Sequence, residues 1–582
     1  MKNLANKNAL VLGLGASGLA LARWCVRNGA RVTVADTRDS PPQLETLRAS
    51  LPAVTFVHSA MDEALFSSAA FDLVLKSPGI SPASVAPVIH AAEARGIARG
   101  NELSLFAQAL ADLKEDRGYA PKLIAITGTN GKTTVTSMVG QLVQRAGKSV
   151  AVAGNIGPTL LDTLAEKLDQ ELESTKVGPV ETLQAQGSLS AKDETGDVPE
   201  GAHDPVANQI LDDDIAVAQE EPVGEQSGIE VDDVATIPEV LLPPFLAAPV
   251  FLSLPEVWVL ELSSFQLDTV NNFEPTVATV LNITQDHLDW HETMPAYAAA
   301  KNRIYGHGLK LLNRDDAQVM AALPAPLLLV KGRQPPAQPY LSFGSDAPRR
   351  PGDYGMETVN GMAWLVRAAE ADETIKRRKD EEVVLHIQRL MPVDALRIRG
   401  GHNAINALAA LGLAVAAGCN LAPMLHGLRE YRGEPHRVES IAVVRDIEYF
   451  DDSKGTNVGA TVAALKGLGA DRKLVLIVGG EGKGQDFTPL AGPVSRYVRA
   501  VVLIGRDAVL LKAALSNTGV VLVDATSMPD AVRVAAEQAR TGDAVLMSPA
   551  CASFDMFENY EHRARVFREA VESLALDAGV IT

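Results

Sequence analysis

Short apolar runs alternate with helix-length amphipathic stretches along most of the chain. Residues 9–12 form an apolar strand and 17–28 a helix that ends before Gly29. Residues 31–36 are an alternating second strand and 71–76 a later one. This βαβ pattern predicts a parallel sheet with helices outside it, in a unit over residues 1–110. A second unit opens with an apolar strand at 122–127, a glycine loop and a helix over 133–146. Val135, Met138, Val139, Leu142 and Val143 share one face of that helix, and Gly147 suits its C′ position. A strand at 149–153 follows.

The pattern then breaks. Residues 166–250 are acidic, rich in Pro, Gly, Gln and Ser, and carry the triplet Asp212-Asp213-Asp214. That composition predicts a disordered insertion, with a small extra domain as the alternative. Order resumes at 257–262, a strand that ends on an acid, and the second unit runs from 111 to 434. Short apolar strands at 473–478, 500–504, 520–523 and 544–547 then predict another open α/β sheet over 435–582.

Composition narrows the class. The chain has 582 residues, 47% hydrophobic and 21% charged, close to soluble averages. No apolar run reaches the roughly 18 residues of a membrane span. Lys2 and Lys7 precede an apolar stretch at 9–22, but the glycines at 13, 15 and 18 fit a nucleotide-binding turn better than a signal peptide. Cys25, Cys419 and Cys551 are far apart and make no CxxC pair, which fits a reducing cytosol. The net charge is −19, yet residues 171–240 hold eighteen acids and two lysines, so the other 512 residues sum to −3. A nearly balanced body gives no reason to expect nucleic acid.

Several motifs carry chemistry. Gly13-Leu14-Gly15-Ala16-Ser17-Gly18 stands between a strand and a helix, where glycines let a phosphate approach a helix N-terminus. Asp36 ends the next strand, placed to accept a ribose or base hydrogen bond. These features fit NAD, another diphosphate ligand or a structural turn, and Ser77-Pro78-Gly79 ends a later strand of the same sheet. Thr127-Gly128-Thr129-Asn130-Gly131-Lys132-Thr133-Thr134 has the ending of a P-loop, although Ile126 stands where the usual first glycine belongs. Backbone N–H groups, Lys132 and Thr133 would hold nucleotide phosphates and Mg²⁺. Glu261 closes a buried strand, either as a metal-side acid or as a solvated strand end. His287 and His291 have i, i+4 spacing without a third zinc ligand. Lys301, in an alanine-rich helix, reads on its own as a solvated charge. The third unit adds Pro435-His436-Arg437, the 451–457 stretch Asp-Asp-Ser-Lys-Gly-Thr-Asn, and Gly479-Gly480-Glu481-Gly482-Lys483.

In this order, these residues resemble the Mur ligase family of peptidoglycan synthesis. The resemblance rests on the loop from Gly128 to Thr133, on the 260–267 stretch Leu-Glu-Leu-Ser-Ser-Phe-Gln-Leu, on 451–457 and on the 548–555 stretch Ser-Pro-Ala-Cys-Ala-Ser-Phe-Asp. The relative that adds diaminopimelate or lysine carries an Asp-Asn-Pro-Arg motif, which does not occur here. The resemblance implies a Rossmann-like first unit, a central P-loop ATPase-like parallel sheet and a Rossmann-like third unit. It implies ATP-dependent addition of D-glutamate to UDP-N-acetylmuramoyl-L-alanine through an acyl phosphate, with two Mg²⁺ sites, in a cytoplasmic monomer.

Site roles follow from the same resemblance. Ala16, Ser17, Asp36, Thr37, Arg38, Ser77, Pro78 and Gly79 would bind the uridine diphosphate, and Asn155 and Ser263 the muramoyl-alanine end. Gly128, Thr129, Asn130, Gly131, Lys132, Thr133, Thr134, Asn403, Asn406, Arg437, Asp452 and Lys454 would bind ATP. Thr133, Glu261, His287 and a carbamylated Lys301 would face the metal, with Lys132, Glu261, His287 and Lys301 as the catalytic set. Thr456, Lys483, Ser553, Phe554 and Tyr560 would form the D-glutamate pocket. The competing readings are a folylpolyglutamate synthase, an NAD-dependent dehydrogenase with a P-loop passenger, and a nucleotide-gated interaction protein. The insertion is expected to loop outward, dispensably, from a connection whose two ends approach the active centre, and the third unit to close over the second when ATP and glutamate bind.

Overall fold

Five strands open the chain: β1 (Asn8–Leu12), β2 (Arg31–Asp36), β3 (Thr55–His58), β4 (Leu73–Lys76) and β5 (Ala98–Gly100). They form a parallel sheet in the order β3-β2-β1-β4-β5. The inner strands β1 and β4 are nearly continuous apolar runs, as strands covered on both faces must be. The edges β3 and β5 are short and largely unburied, so hydrophobic patterning does not reveal them. Gly18 sits in the first turn of helix Ala16–Arg27, where a Cβ would lie 2.0 Å from the Gly13 carbonyl oxygen. Only glycine lets the helix start so close to the loop. The computed structural model describes residues 4–67, 69–176, 250–323, 339–371, 384–470 and 472–580.

The central unit holds β6 (Lys122–Thr127), β7 (Val150–Gly154), β8 (Val257–Glu261), β9 (Val277–Val280), β10 (Leu309–Asn313) and β11 (Tyr340–Phe343). Their order is β11-β10-β9-β6-β8-β7, all parallel. An antiparallel sheet of β12 (Tyr354–Val359), β13 (Met362–Glu370) and β14 (Leu385–Pro392), absent from the sequence reading, follows.

Two expectations about the insertion are corrected. Helix Leu160–Lys176 continues past residue 166, so the break starts later. The expected disordered stretch otherwise falls on residues 177–249, outside the described residues. Its flanks do not approach the active centre. The Glu171 carboxylate accepts backbone N–H groups from Leu252, Ser253 and Leu254 at 3.1, 2.6 and 3.0 Å. The chain then re-enters beside the starts of β6 and β7, through Lys122 N to Glu256 O and Val257 N to Ser149 O. Gly128 and Glu261 lie at the other end of these strands, about 15 Å away at 3.3 Å per residue. The reason is topological: a helix after a parallel strand returns the chain to the N-terminal edge of the sheet.

The third unit contains β15 (Glu439–Val444), β16 (Ile447–Asp451), β17 (Leu474–Gly479), β18 (Val498–Ile504), β19 (Val521–Asp524) and β20 (Ala544–Met547). The order is β15-β16-β20-β17-β18-β19, parallel except for the edge strand β15. One hydrophobic cluster runs through the first and central units, joining Trp24 and Phe106 to Leu160, Leu164 and Trp258. The third unit has cores of its own.

Candidate active site

The loop between β6 and helix Lys132–Arg145 organises the site. Gly131, at φ +84°, is the helix N-cap, and a Cβ there would sit 2.9 Å from Asn406 Oδ1, so no other residue fits. Asn282 pins the loop from the end of β9: its Oδ1 accepts Asn130 N at 2.8 Å and its Nδ2 donates to Asn130 O at 3.0 Å. Thr129 Oγ1 donates to Thr284 O and accepts Thr284 N.

Two lysines converge on one carbonyl. Lys132 Nζ donates to Gly128 O at 2.8 Å and to Thr129 O at 2.9 Å. Lys301 Nζ donates to Gly128 O at 3.0 Å, from 4.5 Å over the Tyr297 ring. Lys301 is 1% exposed, which corrects its reading as a solvated charge. Burial, with the Lys132 charge added, pushes the Lys301 ammonium well below the ordinary lysine range. Burial lowers Lys132 as well, against the pull of Glu261 and Asp286.

Glu261 ends β8 with 1% exposure. Its Oε1 accepts Asn155 Nδ2 at 2.9 Å, while Oε2 is buried without a partner. An unpaired buried carboxylate oxygen is costly, and a divalent cation is the natural partner for it. Thr133 supplies a second oxygen, which accepts Arg437 NH2 at 3.1 Å. The His287 ring lies 4.7 Å from Phe265 and 3.6 Å from Asp286 Oδ2. Burial lowers its pKa, with Lys483, Lys132 and Lys301 acting in the same direction. Its spacing partner His291 faces elsewhere: its Nε2 meets Ser264 Oγ at 2.9 Å, and burial holds it at about 4. The two rings thus do not share a metal. Hard oxygen donors such as Thr133 Oγ1 and the unpartnered Glu261 Oε2 are the kind Mg²⁺ takes, and a carbamate on Lys301 would add another oxygen.

The third unit reaches this loop. A cavity of about 220 Å³ opens between the units, lined by Gly131, Thr134, Asn403, Asn406, Arg437 and Asp452. Asp452 accepts Ser548 Oγ at 2.6 Å, and burial raises its carboxyl to about 7 against the Ser548 bond and the Arg437 charge. Lys454 stands 5.5 Å over the Tyr560 ring, and burial lowers its pKa. Thr456 is half-buried and Ser553 buried, whereas Phe554 is 68% exposed and Lys483 is exposed at φ +52°.

In the first unit, Ala16, Thr37 and Arg38 are exposed around the glycine loop, with Ser17 half-buried and Ser77-Pro78-Gly79 beside it. Asp36 differs from expectation. Its Oδ2 accepts Leu14 N and Arg38 NH2, and its Oδ1 accepts Arg38 N and Nε. Burial would raise its pKa, but these donors more than offset it and hold the group at about 2. With 2% exposure, the carboxylate orients Arg38 and the loop rather than standing open to a ribose. Ser263 caps helix Ser264–Leu267 through Gln266 N.

All three units match protein families of one group. The description "Mur ligase MurD-like, N-terminal domain" matches residues 7–99, "Mur ligase middle domain" matches 126–181 and 223–334, and "Mur ligase, glutamate ligase domain" matches 436–551. A UDP-N-acetylmuramoylalanine--D-glutamate ligase of Polaromonas sp. is 52% identical, with 100% of each chain covered. The same-named protein of Albidiferax ferrireducens is 56% identical over 100% of this chain and 98% of its own. That of Burkholderia mallei is 49% identical over 98% and 97%. The chain belongs to the Mur ligase family.

In this Mur ligase, several site-building roles are not legible from sequence, even where the residue lies in a stretch that draws notice, as Asn457 does in 451–457. Asn282, Tyr297 and Asn457 hold the P-loop by side-chain hydrogen bonds that no periodicity announces. Arg563 is 1% exposed, and its guanidinium binds Ser453 Oγ, Ser453 O and Cys551 O, tying the 451–457 loop to the 548–555 loop. A buried arginine cannot be told from a surface one by sequence spacing alone.

Proposed function

We propose that this Mur ligase joins D-glutamate to UDP-N-acetylmuramoyl-L-alanine at the expense of ATP, as the names of its relatives at 49–56% identity say of them. The observation that carries the reading is the convergence of Lys132 and Lys301 on Gly128 O, beside a buried Glu261 oxygen without a partner. A site of this kind moves a phosphoryl group between anions. The substrate carboxylate attacks the γ-phosphorus of ATP, its P–O bond to ADP breaks, and an acyl phosphate forms. The amine of D-glutamate then attacks the acyl carbon, phosphate leaves, and one amine proton passes to solvent or phosphate. Mg²⁺, when bound, supplies positive charge against the repulsion among these anions.

The chain's own residues have separable tasks in this reading. Lys132 neutralises the transferred phosphoryl oxygens, and Thr133, Glu261 and His287 offer donors to the metal. Lys301, whose neutral amine is favoured by burial, would add to CO₂ to give a carbamate and a proton, and the carbamate would offer oxygen donors to a second Mg²⁺. Asn403, Asn406, Arg437, Asp452 and Lys454 hold the nucleotide. Thr456, Lys483, Ser553 and Tyr560 surround the amino acid, with Phe554 at the rim. The glycine loop, Arg38 and the Ser77–Gly79 turn bind the uridine diphosphate. Asn155 and Ser263 meet its muramoyl-alanine end. No described helix is long and apolar enough to cross a membrane, and we place the reaction in the cytoplasm with the protein as a monomer.

Phosphate release from ATP tests the reading, with the UDP substrate and D-glutamate, L-glutamate, lysine or diaminopimelate offered separately. Release that needs both the UDP substrate and D-glutamate is the expected result. Release with another amino acid moves the chain to a different ligase, and none with Mg²⁺ and bicarbonate present overturns the reading.

A further inference from the structure

Lys76 is the last residue of β4, immediately before the Ser77-Pro78-Gly79 turn, and it is only 8% exposed. Burying an ammonium is costly unless something holds it. Two things do. Its Nζ donates to Ile80 O at 2.9 Å, which closes the turn from residue 76 to 80. The same Nζ stands 4.8 Å over the ring of Trp290, in the central unit. Both ends of this contact lead to proposed substrate groups. On one side the turn packs on the glycine loop, since a Cβ on Gly13 would lie 2.5 Å from Ile80 Cδ1 and 3.3 Å from Ser77 Cβ. On the other side Trp290 packs at a tilt of 45° on Phe265, with ring centroids 4.7 Å apart, and Phe265 lies 4.7 Å from the His287 ring.

We propose that Lys76 and Trp290 form a clamp between units that sets the diphosphate-binding turn at a fixed distance from the His287 side of the phosphoryl-transfer site. The inference rests on the proposed reaction, because a substrate anchored at one end by its diphosphate must bring its carboxylate to the other. A clamp of this kind fixes where the turn stands, so it governs how well the UDP substrate binds and leaves ATP binding alone. Neither residue touches reacting atoms, so both are positioning residues. Trp290 presents its ring to Lys76 on one side and to Phe265 and His291 on the others, and so acts as a spacer between the units.

The test is steady-state kinetics on the full chain for K76M, K76R, W290F, W290L and the K76M/W290L pair. K76M removes the charge and the Ile80 bond at similar volume, and is expected to raise KM for the UDP substrate roughly tenfold, within the range of a desolvated cation–π contact. KM for ATP and kcat stay within about twofold. K76R and W290F, which keep a cation over an aromatic face, hold KM within about threefold. The double variant is no worse than the worse single one. A parallel rise in both KM values, a fall in kcat alone, or additive effects overturns the clamp. W290F and K76M keep the test open if W290L fails to fold. A wild-type protein without turnover would sink the reaction assignment instead. The same double-mutant cycle read from urea midpoints then decides the contact, and zero coupling there overturns it.

Discussion

Asn130 and Asn457 exchange amide hydrogen bonds across the boundary between the central and third units. Asn130 Nδ2 donates to Asn457 Oδ1 at 3.3 Å, and Asn457 Nδ2 donates to Asn130 Oδ1 at 3.0 Å. Asn130 belongs to the P-loop, and Asn457 also caps helix Val458–Leu468 through Ala460 N. The first and central units share a hydrophobic core, whereas the third meets the central one through polar contacts such as this pair and Arg437 with Thr133. Polar contacts exchange with water at little net cost, so the third unit is the one expected to open and close.

Replacing Asn130 by Ala removes the link and spares the helix cap, while Asn457→Ala removes both. N130A is expected to lower kcat/KM roughly tenfold with little change in unfolding midpoint, and N457A to lose about 1 kcal/mol of stability as well. Small-angle scattering of the wild type should show compaction with an ATP analogue and the UDP substrate. Equal radii with and without ligands would exclude closure.

Lys301→Met removes both the amine and any carbamate while keeping the packing on Tyr297. A fall in kcat of at least roughly a hundredfold is expected, the size associated with losing one well-placed electrostatic group. Wild-type protein equilibrated with ¹³C-bicarbonate should give a carbamate signal that K301M lacks. The same signal in K301M would assign the modification to another lysine.

Asp452 gives a pH dependence with a definite sign. Its carboxyl is raised by burial from 3.8 to about 7, so the folded state binds a proton that the unfolded state releases. That stabilisation is fully present below pH 3.8 and is lost as pH rises through about 7. D452N has no such term, so between pH 5 and pH 8 its unfolding free energy should gain on the wild type by on the order of 3 kcal/mol. Its KM for ATP should rise. Parallel stability curves would mean that Asp452 titrates alike in both states.

Excising residues 178–248 and bridging the gap with a short Gly/Ser linker should leave kcat/KM within about tenfold, because Glu171 gathers the flanks at the edge of the sheet opposite the P-loop. Glu171→Ala in the full chain removes the two oxygens that accept three N–H groups, and should cost about 2–3 kcal/mol in denaturant unfolding without changing either KM. A loss beyond about a hundredfold in the excised protein, with the fold intact, would give those residues a direct role.

The alternation of apolar runs and helices determined the three α/β units, and the inner strands β1, β6, β8 and β17 stand where their residues predict, because a strand covered on both faces must be apolar along its length. The loop from Gly128 to Thr133 was equally legible, since the backbone needs glycine at Gly131 and a helix starts directly after it. Edge strands β3 and β5 and the β12–β14 sheet carry no such signal. Lys301 shows the limit most clearly. A lysine in an alanine-rich helix is a surface charge by every local rule, and only packing against Tyr297 and the Gly128 carbonyl buries it and lowers its pKa. Asp36 shows the converse, a carboxylate well placed for a ligand whose oxygens the fold has already committed to Leu14 and Arg38. Local sequence determined which groups are present and which element carries each one. Burial and many of the decisive hydrogen-bond partners come from residues distant in the chain, as Leu14 is from Asp36 and Gly128 from Lys301, so the tertiary structure decided which charges are shielded, which oxygens stay free and where the 177–249 connection leaves the sheet.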